Sequence, residues 1–505
     1  MKLPVRLPPI AALSCALCLL AVSTWLGGQT TGPAPAKSPT ATTAASGVGC
    51  WGTLSRTDRG AGTLYIDNDG DGFGVASPSG PDCDDGDAKL NSPATIKEKA
   101  GNIGKFLRQR AGAGSSILYI SPSGDDSTAK PDDPAKPYAS FEKAKRLLGA
   151  GDIAVFREGT YDGPHCDNMS GKEGKPIVIM SAPGEKVTFT GGDGAITIKH
   201  SSHLVLDGFA ITPKEGARGD GMSIYWCHNV TLRNLEVSGF TLGIRGMQDL
   251  HDLVIENCVV HDNGPSHGIY LGCRDLVNSD ITVRNCLLYR NGEHGVQHNG
   301  RVTNFCIEGN VIHSNGLGGV SLIQGACKSA VRNNLIFNNC AQGIVFYLYD
   351  APASSGITTN DQTGNIVENN TIWVGQSAPG GKKTPADHAA IQFSDATSAQ
   401  KCDMNATIRN NILVTFAGPA MRFDQRRFMN GCTIGGNTLW WMKGPLMNLP
   451  AASGKAATVV DEVLTLEELQ AKSEKIRNNA TLDPQFKKAS TDDFDHPELF
   501  DFKRK

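Results

Sequence analysis

Aromatic residues are scarce in this chain, 7% of 505, and neither sign of charge dominates, the formal net charge being −3. That balance leaves no basis for electrostatic capture of nucleic acid. Cys-x-x-Cys spacing occurs only at Cys15 and Cys18, inside an apolar N-terminal run, so the rest of the chain holds no zinc site of that spacing. Past Leu26 no stretch is apolar enough to span a bilayer. Glycine, by contrast, is plentiful at 58 residues, as in a chain that turns often.

Lys2 and Arg6 precede the apolar run from Ile10 to about Leu26, the pattern of an export signal. Ala21-Val22-Ser23 is the small-x-small candidate for cleavage; retention would make residues 1–28 an anchor. Either way the chain is expected to be secreted or held at the cell surface. Residues 29–49 are rich in Thr, Pro and Ala and read as a flexible tether. Twelve cysteines follow the signal, an even number that permits disulfides without giving their connectivity. Cys50 and Cys83 bracket one small module and are the best pair.

Within that module, residues 50–112, Asp67, Asp69 and Asp71 alternate ahead of Gly72, and Asp82, Asp84, Asp85 and Asp87 follow. Alternate aspartates with a glycine at the sharp turn wrap oxygen ligands around Ca²⁺. Pro78 stands where an EF-hand needs its glutamate, so the second acidic cluster is expected to complete the ligand set. The stretch resembles the Asp-rich calcium repeats of thrombospondin type 3, which implies a structural ion.

From Leu204 to Leu439 one phrase recurs: an apolar strand, an asparagine, a short apolar strand, a turn. Its asparagines are Asn234, Asn257, Asn285, Asn310, Asn334, Asn370, Asn411 and Asn437, the first five spaced 23, 28, 25 and 24 residues apart. A second phrase keeps step, reading GMSI, GIRG, GIYL, GVQH, GVSL and GIVF. A fixed period near two dozen means stacked coils that cannot bury their apolar faces singly. The expected fold is therefore all-β: a parallel β-helix over residues 113–450, with a C-terminal helix and tail over 451–505. Ser140 to Leu148 should form a Ser-capped helix closing the first coil, and Leu464 to Asn478 a helix near the end. Cys258 and Cys286, in adjacent coils, are expected to fill a buried column rather than bond.

The order YISPSGDD, GDIAVFREGTYDG and GKPIVIMSAPGE, residues 119 to 185, resembles the N-terminal part of secreted right-handed parallel β-helix proteins. Those include polysaccharide lyases and other carbohydrate-active enzymes. The resemblance implies a right-handed solenoid and a polysaccharide partner, and it leaves the reaction open because the fold hosts many.

Aligning coils on the glycine of the second phrase defines two columns. The residue before that glycine runs Asp220, Leu242, His267, His294, Gly318, Gln342; the outward residue two beyond it runs Ser223, Arg245, Tyr270, Gln297, Ser321, Val345, Gln392, Arg422. A lyase acting on uronates needs a cation for the sugar carboxylate, a base for the C5 proton and an acid for the leaving oxygen. Arg245, His267, His294 and Tyr270 would meet those needs, with Arg301 as a second cation. Gln297, His298, Asn299, Arg274, Gln324 and Tyr347 are the expected substrate-binding residues. The plainer reading is that His267 and His294 bond neighbouring turns and that alternation puts His298 in the lumen. Hydrolysis, which needs two carboxylates, is kept open by Asp220, Glu293 and Asp275. A non-catalytic glycan-binding surface protein is the third alternative.

Overall fold

The computed structural model describes residues 114–273, 276–349, 361–375, 388–396, 402–416, 418–441 and 474–481, with shorter pieces elsewhere. The expected Ca²⁺ ligands Asp67 to Asp87, the export signal, Cys50, Cys83, Arg274 and Asp275 lie outside the described residues.

Each coil gives one strand to each of three parallel sheets. One coil shows the order: His228–Arg233 in the first sheet, Glu236–Ser238 in the second, Leu242–Met247 in the third. Strands stack in register on those of the next coil, as in Met222↔Ile244 followed by Ile244↔Ile269. Alternation along each strand sends every second side chain into the lumen. The third sheet's inner column runs Ile244, Ile269, Val296, Val320 and Ile344, all fully buried. Its neighbouring column holds Leu271, Leu322 and then Phe346, Phe393 and Phe423, whose rings stack at 4.8 and 5.0 Å.

The recurring asparagines occupy two positions, not one. Asn234, Asn257 and Asn285 have φ of 56°, 52° and 53° and make the left-handed bend leaving the first sheet. In later coils Asn333, Asn369 and Asn410 do this, and the following residue, Asn334, Asn370 or Asn411, points inward and is buried. Leu235, Cys258 and Cys286 hold that inward position in the early coils. Thus the repeat slips by one residue between its halves, and the single column expected from the spacing is two neighbouring columns.

From Asn310 upward the inward asparagines form a ladder. Each side-chain amide donates to the next asparagine's Oδ1 at 2.9 or 3.0 Å, through Asn334, Asn370, Asn411 and Asn437 to Asn479. Each Oδ1 also accepts a backbone N–H from the coil below. A second ladder, Asn263, Asn291, Asn315 and Asn339, lines the turn between the second and third sheets. It shows the same logic, a buried turn whose polar groups need partners.

The ends are closed by short helices. Phe141–Lys145 is capped by Ser140, whose hydroxyl accepts the Lys143 N–H at 3.3 Å, and it buries Phe141 against Phe156. At the other end Leu466–Lys472 is helical, but Ile476–Arg477 is a strand pairing with Thr433–Gly435, so the expected helix stops six residues early. The strand wins because Asn479 must meet Asn437 to end the ladder, and Gln470 Oε1 accepts the Asn479 N–H at 3.3 Å. Cys166, Cys227, Cys258, Cys286, Cys306, Cys327 and Cys432 are free thiols. Cys258 and Cys286 fill their column, with sulfur donating to backbone carbonyls.

Candidate functional site

Each coil presents three outward faces; one is covered by packing and one pairs its own charges. On the second sheet, His261, Tyr289, His313 and Phe337 stack in consecutive coils at 4.8, 5.1 and 4.7 Å, nearly parallel, inside an apolar cluster that includes Val75. Burial pushes His313 down to about 3. Burial also opposes charge on His261, but hydrogen bonds to Glu236 and Asp262 raise it above the ordinary imidazole range. On the first sheet one column alternates in sign from Asp207 through Arg233, Glu256, Arg284, Glu308, Arg332 and Glu368 to Arg409. Its ion pairs include Arg233–Asp207 at 2.8 Å and Arg332–Glu308 at 2.7 Å. That face neutralises itself.

The third sheet carries groups that no repeat explains. Arg245, Tyr270 and Gln297 pair in register on successive rungs, as the spacing predicts. At the entering edge of the same strands, Arg245 Nε lies 3.0 Å from Asp220 Oδ2, and the Ser223 hydroxyl donates to that oxygen at 3.2 Å. Asp220 is buried. Desolvation, opposed by Arg245 and assisted by nearby Asp193, raises its carboxyl to about 6. Asp193, one coil below, accepts the Asp220 N–H at 3.3 Å; sequence reasoning missed it because its coil lacks the recurring phrase.

Two rungs above Asp220, His267 Nε2 meets Glu293 Oε2 at 2.8 Å, while His267 Nδ1 accepts the His294 N–H at 3.2 Å. The accepted bond at Nδ1 leaves the ring proton on Nε2, donated to Glu293. Both nitrogens are therefore engaged, and the partly exposed Glu293 carboxylate is the group that reaches solvent. His294 is more deeply committed: its Nδ1 accepts the Gly318 N–H at 3.1 Å, and burial with His267 beside it lowers it to about 3. The plainer reading of these two histidines accounts for their bonds; Glu293 carries the reactive edge.

Several expected ligands move elsewhere. His298 is in the lumen, in the column of Leu271 and Leu322, fully buried beside Asn278 Nδ2 at 3.3 Å, and burial lowers it to about 3. Strict alternation places it there. Arg301 follows Gly300 at the opposite edge of the sheet from His267, its side chain passing over Gly325, so it does not join that cluster. Gln324 is buried and donates to the Tyr349 carbonyl at 2.8 Å. Asn299 donates weakly to the Tyr270 hydroxyl at 3.4 Å and accepts from the Tyr349 hydroxyl at 3.1 Å, and Tyr347 lies two rungs along the same column. Tyr349 escaped notice in the sequence because it follows the repeated phrase rather than belonging to it.

A family model described as "Right handed beta helix region" matches residues 184–336 and 300–448, together just over half of the chain. The chain belongs to that family. Its right-handed winding, expected from the resemblance, comes with this membership. Among curated proteins, "Uncharacterized protein YwoF" of Bacillus subtilis (strain 168) is 25% identical over 230 residues, 44% of this chain and 46% of that protein's length. The match thus spans under half of that relative. Among solved structures, the pectate lyase Pel9A is 15% identical with a TM-score of 0.41, covering 70% of this chain and 85% of its own. The GH136 lacto-N-biosidase from Eubacterium ramulus is 13% identical with a TM-score of 0.46, covering 67% and 69%. Likenesses this low carry no argument about chemistry, which rests on the residues themselves.

Proposed function

We propose that this chain is a carbohydrate-active enzyme that cleaves an acidic polysaccharide along the outward face of the third sheet. The observation that carries this reading is the pair of carboxyl groups along the entering edge of the third sheet: Asp220, beside Arg245 and protonated up to about pH 6, and Glu293, held by His267. An acid that holds its proton and a second carboxyl group along the same sheet edge are the two partners that glycosidic cleavage requires. Glu293 belongs to the coil above His267, three rungs from Asp220, and its side chain reaches back to His267 Nε2. Carboxyl groups set well apart leave room for a water between acid and base, as inversion requires.

In this reading Asp220 gives its proton to the glycosidic oxygen as the bond to the anomeric carbon breaks. Glu293 takes a proton from the attacking water, whose oxygen forms the new bond to that carbon. Once Asp220 is protonated its hold on Arg245 weakens, and the guanidinium can turn to a sugar carboxylate. Tyr270 and Gln297, on the next rungs, suit further contacts along the chain. The apolar N-terminal run supports export, so the substrate would be an extracellular glycan.

A second reading, β-elimination, draws on one further observation. The Tyr270 and His267 rings stack with centroids 5.2 Å apart, one rung from Arg245. Acid and base acting on adjacent sugar carbons need such closeness, which the Asp220–Glu293 pair lacks; His267 would serve as the base only after releasing Glu293.

Incubating purified protein with a panel of uronate polymers separates these. Hydrolysis releases reducing ends without ultraviolet absorbance, whereas elimination adds the absorbance of an unsaturated product. Asp220→Asn and Glu293→Gln should each lower the rate about 10²- to 10⁴-fold with the thermal unfolding curve unchanged. Wild-type activity should fall as pH rises through about 6, where Asp220 ionises. Binding with neither product, or full activity in both variants, sinks the proposal.

A further inference from the structure

We infer that His228, Asp249 and His251 form a binding site for a first-row divalent transition metal, at the corner where the third sheet turns into the first. His228 and His251 pair in register on adjacent strands of the first sheet, so their imidazoles project from one face a rung apart. Between the sheets, Gln248 and Asp249 bend left-handed, with φ of 59° and 38°. Asp249 Oδ2 then lies 3.4 Å from His228 Nε2, and Asp249 Oδ1 lies 3.0 Å from His251 Nε2. One ligand atom from each residue falls within 4.8 Å of the others. Ligands around a tetrahedral ion with bonds of about 2.0–2.1 Å stand roughly 3.4 Å apart, so a small closing of the side chains completes the set.

An exposed ion pair needs only one imidazole beside a carboxylate; here two converge on it with the same nitrogen. A second observation distinguishes the cluster. On the next strand, Ser279 pairs in register with His251, and its hydroxyl lies 2.7 Å from His251 Nδ1. With a metal at Nε2, the ring proton would sit on Nδ1 and be donated to that hydroxyl. This is the outer-shell orientation that metal-binding histidines characteristically receive. Two imidazoles and one carboxylate suit Zn²⁺, Co²⁺ or Fe²⁺ rather than Ca²⁺ or Mg²⁺, which prefer oxygen throughout. Three protein ligands leave a tetrahedral ion one position for water. None of the three residues touches Asp220, Arg245, His267 or Glu293 in the contacts of that edge, so the site stands independently of the proposed reaction.

The test uses the full chain, stripped with chelator and kept in excess Ca²⁺ to occupy any all-oxygen site. Co²⁺ absorbance and Zn²⁺ calorimetry should report one equivalent of metal that His251→Ala and Asp249→Ala abolish. Ser279→Ala should weaken it about 10- to 100-fold. Zn²⁺ should raise the unfolding temperature of the wild type and leave His251→Ala unmoved, while the metal-free proteins unfold alike. Unchanged stoichiometry in His251→Ala and Asp249→Ala, or a wild-type Kd weaker than about 1 mM, overturns the inference.

Discussion

From Asn310 upward, each turn between the first and second sheets presents a backbone N–H and a carbonyl to a buried side-chain amide. Asn370 shows how one residue type resolves this. Its amide donates to the Val331 carbonyl at 2.8 Å and to Asn411 Oδ1 at 2.9 Å, while its Oδ1 accepts two bonds from Asn334. Asn370→Ala therefore removes the acceptor of two Asn334 N–H donors and the side-chain donor to the Val331 carbonyl, while Asn411 Oδ1 keeps the backbone N–H of residue 370. Each buried orphan costs about 1–3 kcal/mol, so destabilisation should reach about 3 kcal/mol or more. Urea unfolding measures it, and a loss under about 1 kcal/mol would mean water enters the turn. The sequence made the asparagines visible, since they recur. It could not show that Asn285 bends the chain while Asn310 faces inward, because a one-residue slip leaves the spacing almost unchanged.

The strand Val296–Asn299 illustrates the next scale. Its period of two puts Val296 and His298 inward and Gln297 and Asn299 outward. A histidine inside the lumen is costly to protonate. Its folded pKa, about 3, lies below the ordinary value near 6.5. Between those values the unfolded chain binds a proton that the folded chain refuses, so stability present above pH 6.5 is lost as pH falls toward 3. His294 and His313 act in the same direction. His298→Leu places a leucine between Leu271 and Leu322. It should change stability at pH 7 by less than about 1.5 kcal/mol and move the acid-unfolding midpoint to lower pH. An unmoved midpoint would show that His298 protonates without leaving the lumen. Alternation made this legible beforehand, whereas the engagement of both His267 nitrogens depended on Glu293 and His294 arriving from the next coil.

For the molecule as a whole, one-dimensional stacking lets each coil's outward face differ while the lumen stays alike. The first sheet spends its outward charges on each other, the second buries stacked rings, and the third is left to carry Asp220, Arg245, Tyr270 and Glu293. We further propose that Ca²⁺ binds the Asp67–Asp87 segment as a structural ion. Calcium should then raise the unfolding temperature of the full chain, and Asp69→Ala should remove that response; an unchanged wild type would exclude a structural role.

Coil period, strand alternation and the end-capping Ser140 are properties of neighbours along the chain, and each was legible in one dimension. The Arg245–Tyr270–Gln297 column was legible too, because register follows from the recurring glycine. Which groups meet across rungs was not. Asp220 acquires its raised pKa from burial beside Arg245, 25 residues on, and His267 loses its free nitrogens to residues 26 and 27 positions away. Stacking alone brings such residues within hydrogen-bonding distance, and burial alone decides which of them hold a proton.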